Sequence, residues 1–163
     1  MYETYGEDMV TLAGALVRDK SGAEDIVHDV FVALARSANP MGTIRNLKGY
    51  LMTCVANRAR EYLASRKHPT AELAVEPAAD YRNPIDNLID DEAHRQLIAA
   101  MDQLPYEQQE AILLHLRGEL TFKEIAENQN TSINTVQGRY RYGLEKLRVL
   151  LNDKVKVWTR QTT

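Results

Sequence analysis

The chain has 163 residues, 44% of them hydrophobic, with 20 Lys and Arg against 23 Asp and Glu and a net charge of −3. That suits one domain or two small ones with ordinary cores, and argues against a protein that coats DNA with its whole surface. No apolar run could span a membrane, no signal peptide is recognisable, the single Cys54 excludes an internal disulfide, and four scattered histidines lack metal-ligand spacing.

A cytoplasmic chain without metal or cofactor is therefore expected. No Gly-rich phosphate loop, nucleophile elbow or HExxH motif is present, so no enzyme is expected either. Cys54, set among apolar neighbours, is expected in the core. His28 beside Asp29 and His115 near Arg117 are expected at the surface or its boundary.

In chain order the pattern is all-helical. Residues 2–18 predict a first helix. Ser21 is expected to cap a second that runs to about Ser37, with Ala23, Ile26, Val27, Val30, Phe31 and Leu34 on one stripe. Pro40 and Gly42 mark a loop over 39–46. A third helix is expected from about Leu47 to Lys67, with Leu47, Leu51, Cys54, Val55, Ala59, Tyr62 and Leu63 inward. Three helices can bury one small core, which gives an N-terminal domain over 1–68.

Residues 69–84, with Pro69, Pro77, Pro84 and several acidic groups, predict a linker. A helix from about Pro84 to Asp102 follows, then a break at Leu104-Pro105, because proline suits a helix start. A helix over 106–117 is expected to stop at Gly118. The C-terminal domain spans 85–151, and 152–163 is expected to be a polar tail.

Residues 121–148 carry the clearest local signals. Thr121 with Glu124 three positions later fits a capping box, and Phe122, Ile125 and Ala126 form the inner face of a short helix. Asn128 to Asn130 can end it, since Asn tolerates the left-handed conformation of a helix exit. Ser132 is a good N-cap for the next helix, on which Ile133, Val136, Tyr140, Leu144 and Leu147 define the expected buried stripe. Gly138 and Gly143 each cost about 1 kcal/mol relative to Ala in a helix interior. Close approach of that backbone to DNA or to another helix would account for them. The outer face carries Asn134, Thr135, Gln137, Arg139 and Arg141. A helix, a tight turn and such a second helix is how many proteins reach base edges in the major groove. A solvated face on an ordinary helical hairpin is the alternative.

Charge is segregated. Residues 42–68 hold six basic groups against Glu61, 69–103 hold two basic and eight acidic groups, and 131–148 hold four basic groups against Glu145. Two local positive zones separated by an acidic segment are compatible with polyanion contact.

Both halves resemble one family, the small extracytoplasmic-function (ECF) sigma factors of bacterial RNA polymerase, in the sigma-70 family. Residues 23–31, AEDIVHDVF, resemble its AED-LVQEVF stretch. Residues 45–51, RNLKGYL, and then Ala56-Asn57-Arg58-Ala59 resemble its next block. Residues 102–110, DQLPYEQQE, resemble the L-P-x-E-Q-R-E start of its C-terminal domain, and Glu124-Ile125-Ala126, Thr135-Val136, Arg139 and residues 144–148, LEKLR, complete the match.

The resemblance implies a subunit that binds core RNA polymerase, directs promoter recognition and melting, and catalyses nothing itself. It implies polymerase docking through Glu24, Asp25, His28, Asp29 and Val32. It implies contact with the minus-ten promoter element through Arg45, Asn46, Lys48, Asn57, Arg58, Arg60, Arg66 and Lys67, where Tyr62 could stack on a base but is spaced as a core residue. It implies contact with the minus-thirty-five element through Ser132, Asn134, Thr135, Gln137, Arg139 and Arg141. Arg139 and Arg141 lie about 200° apart on an ideal helix, so only one can face the groove centre. Arg139 matches the family's arginine and is the expected base or phosphate contact, with Arg141 reaching a phosphate. An anti-sigma factor is a possible further partner, and the linker would run near the RNA exit path. The chain departs from the family at Ala35, in place of a bulky aromatic, and at Gln137-Gly138, in place of Lys-Ser. A sigma-like decoy that sequesters an anti-sigma factor, or a conventional helix-turn-helix regulator, are the other functions considered.

Overall fold

The first helix, α1 (Tyr2–Val17), ends at Arg18, which takes a left-handed backbone conformation (φ 55°) and turns the chain directly into α2 (Lys20–Arg36). A 3-10 turn over Met41–Thr43 leads to α3 (Leu47–Lys67). Further on come α4 (Asp91–Met101), α5 (Tyr106–Leu116), α6 (Phe122–Asn128) and α7 (Ile133–Gln161). The computed structural model describes residues 2–38, 41–67 and 91–161; the expected linker and the expected helix start over 84–90 lie outside them. Among the described residues there is no strand, as the all-α expectation required.

The chain divides into two compact units, Met1–Asn83 with Leu113–Leu120, and Pro84–Ile112 with Thr121–Thr163. In the first, α1, α2 and α3 pack on one another around Met9, Leu12, Leu16, Ile26, Val27, Val30, Leu51, Met52 and Val55. Small residues at Ala13, Ala23, Ala56 and Ala59 are also buried there. In the second, Ala100, Met101, Leu104, Ala111, Ile112, Ile125, Ala126, Val136 and Leu147 are buried, with α7 packed on α4 and α6.

Three local expectations need correction. Ser21 does not cap α2. Asp19 holds the N-cap position with extended backbone, its carbonyl accepts from the Ala23 amide at 2.9 Å, and Ser21 lies exposed in the first turn. The expected stop of α5 at Gly118 holds, with the helix ending at Leu116, and the left-handed residue there is Glu119 (φ 56°). Gly118 is required by proximity: a Cβ there would stand 2.7 Å from the Leu114 carbonyl oxygen and 2.9 Å from Leu120 Cδ1.

The buried stripe of α7 is also displaced. Val136 and Leu147 are buried, but Ile133 is 43% exposed and Leu144 36%, while Gly143 is buried. A Cβ on Gly143 would come 2.7 Å from Ile112 Cδ1, so the α7 backbone passes close to the α5 side chain there. That contact centres the stripe on Val136, Tyr140, Gly143 and Leu147 and leaves Ile133 and Leu144 on its flank. Gly138 meets nothing nearer than a Tyr142 ring carbon at 3.9 Å. Finally, the expected polar tail is helical to Gln161, because no Gly or Pro follows Gly143 to stop the helix.

Candidate nucleic-acid interface

On α2 the core-facing stripe leaves Glu24, Asp25, His28 and Asp29 exposed on the opposite side, with Val32 half-buried at its edge. A helix with three carboxylates on one outer face offers a surface for a basic partner.

The basic side chains on and before α3 are held in different ways. Arg45 and Asn46 are exposed in the approach to the helix. Asn46 is its N-cap: the Oδ1 accepts from the Gly49 amide at 3.0 Å, and the carbonyl accepts from Tyr50 at 3.1 Å. Gly49 makes room for that cap, since a Cβ there would lie 2.6 Å from Asn46 Nδ2. An Asn immediately before an apolar helix start is a cap signal that was legible in the sequence. Lys48 pairs with Asp8 of α1 at 3.2 Å. Nearly three turns further on, Arg58 pairs with Glu61 at 3.2 Å and Arg60 donates to Asn57 at 3.3 Å. These side chains are exposed or half-buried. The side chain of Lys67 lies outside the described residues.

Arg66 belongs to a cluster that sequence periodicity did not reveal. Asp19 at the start of α2 accepts a hydrogen bond from the Tyr62 hydroxyl, and Arg66 Nη2 stands 3.8 Å from the same carboxylate. The Arg66 guanidinium also lies 5.1 Å from the Tyr62 ring centroid. The Tyr62 hydroxyl, outweighing partial burial and helped by the Gly22 and Ser21 amides and Arg66, holds the Asp19 carboxyl below its ordinary range. Burial first, and the Asp19 partner second, push the Tyr62 phenol up to about 12. Gly22 is part of the cluster: a Cβ on it would lie 2.6 Å from both Tyr62 Cζ and the Tyr62 oxygen. Cys54, expected in the core, is half-buried, and burial raises its thiol pKa.

The helix-turn-helix follows the local signals closely. Thr121 and Glu124 form a complete capping box, with the Thr121 amide donating to Glu124 at 2.7 Å and the Glu124 amide to Thr121 Oγ1 at 3.2 Å. At the exit of α6, Asn130 is left-handed (φ 52°), the Thr131 amide bonds the Ala126 carbonyl at 2.9 Å, and the Asn130 amide bonds Glu127 at 3.3 Å. This is the Schellman pattern that closes a helix. Ser132 then caps α7, its Oγ accepting from the Thr135 amide at 3.1 Å. Phe122 and Tyr140 join the two helices edge to face, with ring centroids 5.2 Å apart.

Beyond the turn Asn134, Thr135, Gln137 and Arg141 are exposed. Asn134, Gln137 and Arg141 fall within about 60° of one another around an ideal helix, so they form one stripe. Arg139 is half-buried, off that stripe, and bonded to Gln129 at 2.8 Å.

This geometry has known counterparts. Residues 1–68 match the family model for sigma-70 region 2, and residues 94–147 match the model for sigma-70 region 4. The RNA polymerase sigma factor CarQ of Myxococcus xanthus is 30% identical over 138 residues, 85% of this chain and 79% of that protein. This chain is an ECF sigma factor of the sigma-70 family. The ECF RNA polymerase sigma factor SigX of Bacillus subtilis is 23% identical, covering 98% of this sigma factor and 90% of the relative. A solved structure shares the fold: the sigma factor RpoE of Bartonella quintana, crystallised with the anti-sigma factor NepR. It matches at a TM-score of 0.57 and 23% identity, over 88% of this chain and 89% of that one. Sigma factors are DNA-binding regulators. Among the described residues no group of His, Cys, Asp and Glu could hold a metal ion, and no helix is long and apolar enough to cross a membrane.

Proposed function

We propose that this sigma factor binds core RNA polymerase in the cytoplasm and grips promoter DNA at two separated elements, while the polymerase performs all the chemistry. The observation that carries the reading is the presence, in order on one chain, of a region 2 match and a region 4 match, the latter containing a fully capped helix-turn-helix. Glu24, Asp25, His28, Asp29 and Val32 would meet the polymerase through the exposed acidic face of α2. Arg45, Lys48, Asn57, Arg58, Arg60, Arg66 and Lys67, with Asn46 holding the helix start, would line the minus-ten contact. Supporting that role is the local concentration of positive charge, which an unpaired strand needs along its backbone.

At the upstream element, Asn134 and Gln137 are suited to base edges, with Arg141 on the same stripe reaching a phosphate. Thr135 and Ser132 sit at the N-terminus of α7, where amide groups favour a phosphate. A conventional repressor would leave the region 2 match without a task. The capture of the Bartonella relative with an anti-sigma factor favours a similar regulatory partner here.

Run-off transcription with purified core polymerase and a pool of genomic fragments tests the reading. A promoter-specific product is expected only when the chain is added. A product pattern identical with and without it would sink the proposal.

A further inference from the structure

The largest buried polar investment in the second unit lies behind the recognition helix. Glu110 of α5 is only 1% exposed. A buried carboxylate is costly unless hydrogen-bonded. Its Oε1 accepts from Gln129 Nε2 at 3.0 Å, and the same nitrogen donates to the Glu107 carbonyl at 3.1 Å. On the other side, Gln129 Oε1 accepts from Arg139 Nη1 at 2.8 Å. A single amide thus joins α5, the turn and α7.

The chemistry of the chain of bonds fixes its direction. A carboxylate only accepts and a guanidinium only donates, so the amide must present NH2 to Glu110 and oxygen to Arg139. A flipped amide would set donor against donor and acceptor against acceptor. The backbone pins the same residue: Gln129 is the C-cap of α6 (φ −84°, ψ 0°) and immediately precedes left-handed Asn130. The side chain has one well-defined place to be.

The neutral spacer matters for DNA. A direct pair between Glu110 and Arg139 would set a carboxylate in competition with phosphate for the guanidinium. An amide carries no net charge, and it occupies one donor of a group that has five. Arg139 is half-buried and off the exposed Asn134–Gln137–Arg141 stripe, which suits a group that reaches the flanking backbone and not the groove centre.

We propose that Gln129 is a positioning residue, which orients Arg139 as a fixed phosphate contact through the Glu110–Gln129–Arg139 relay while leaving sequence reading to the neighbouring stripe. This rests on the promoter-recognition role of the region 4 unit. It predicts that a residue outside the recognition helix controls the salt dependence of promoter binding.

The test uses holoenzyme assembled from core polymerase and full-length wild type, Arg139→Ala, Gln129→Met or the double variant, bound to a promoter fragment that requires the upstream element. Methionine matches glutamine in length but makes neither bond. Arg139→Ala is expected to weaken binding about tenfold and to lower the slope of log affinity against log salt by about 1. Gln129→Met is expected to weaken binding about fivefold, with a smaller slope and unchanged affinity for core. It should add no further loss in the Arg139→Ala background. A merely structural role would lower the melting temperature, leave the salt slope alone and add its full loss in the double variant; that result overturns the relay. A wild-type slope in Arg139→Ala would overturn the phosphate contact and the relay together. If wild-type holoenzyme formed no promoter complex beyond that of core alone, the promoter-recognition role itself would fall, and the relay with it.

Discussion

The two units hold their arginines in different ways. Along α3 the cations are tied to oxygen partners within the unit: Lys48 to Asp8, Arg58 to Glu61, Arg66 to Asp19, and Arg60 to the Asn57 amide oxygen. In the second unit Arg139 is tied to a neutral amide, which is itself anchored on a buried carboxylate. A carboxylate partner must be displaced or shared when a phosphate arrives, whereas an amide need not be. If these groups meet promoter DNA as proposed, the carboxylates along α3 would compete with phosphate, whereas Arg139 would be a pre-organised contact.

The largest expected effect tests the pre-organised side. Gln137→Ala should cost about 1–3 kcal/mol of discrimination at one base pair of the upstream element. Holoenzyme binding to a set of permuted elements checks it; a uniform loss across all sequences would move Gln137 from base to backbone contact.

Next comes the Asp19–Tyr62 cluster, which should prove structural. Gly22→Ala drives a methyl into the Tyr62 ring and should cost about 1–3 kcal/mol of unfolding free energy. Tyr62→Phe should cost about 1 kcal/mol. Since both act on one contact, the double variant should lose less than the sum. The pH dependence has a definite sign. Asp19 is lowered on folding, so its contribution is present above 3.8 and is lost as pH falls through the folded value. Tyr62 is raised from 10.0 to about 12, so its contribution is complete below 10.0 and disappears as pH rises through about 12. The stability gap between wild type and Tyr62→Phe should be level from pH 5 to pH 9, within about 0.3 kcal/mol, and shrink at both extremes. A gap that changed across neutral pH, in urea denaturation series, would refute the assignment.

The two helix glycines give a smaller and opposite pair. Gly138→Ala should stabilise the second unit by about 0.5–1 kcal/mol, because only propensity changes. Gly143→Ala gains the same propensity but forces a methyl against buried Ile112, so a net loss of about 1 kcal/mol is expected. Thermal melting of the two variants separates them by direction alone. Smallest is Glu61→Ala, which removes the carboxylate competing for Arg58. An exposed pair of this kind is worth about 0.3–0.5 kcal/mol, so promoter binding should rise by no more than about twofold. A fall would show that Glu61 orients Arg58 for DNA and would narrow the contrast between the units.

Most of the helix framework was legible in the sequence because its signals are local. The Thr121–Glu124 box, the Asn130 exit and the Ser132 cap each involve residues a few positions apart, and each has the expected geometry. The ordered blocks from Ala23 to Arg148 were likewise enough to indicate the family. The cap of α2 differs because two short polar residues, Asp19 and Ser21, lie close together at the helix start, and Asp19 holds the N-cap position. The helical end of α7 differs from the expected polar tail because that polar stretch holds no helix breaker.

By itself, then, the sequence determined the order of the helices, the caps of the helix-turn-helix, the segregation of charge and membership of the sigma-70 family, since periodicity and capping depend on neighbours within one or two turns. Only the tertiary structure decided the partners of the charged groups that pair across elements. Asp19 and Tyr62 are 43 positions apart, Glu110 and Gln129 are 19 apart, and Gln129 and Arg139 are 10 apart. Such pairings follow from how helices pack and not from any spacing along the chain. The same reason explains why Gly143 lies inside and Leu144 outside: the packing of Gly143 against Ile112 sets the centre of the buried face of α7, and a period of 3.6 fixes only its width.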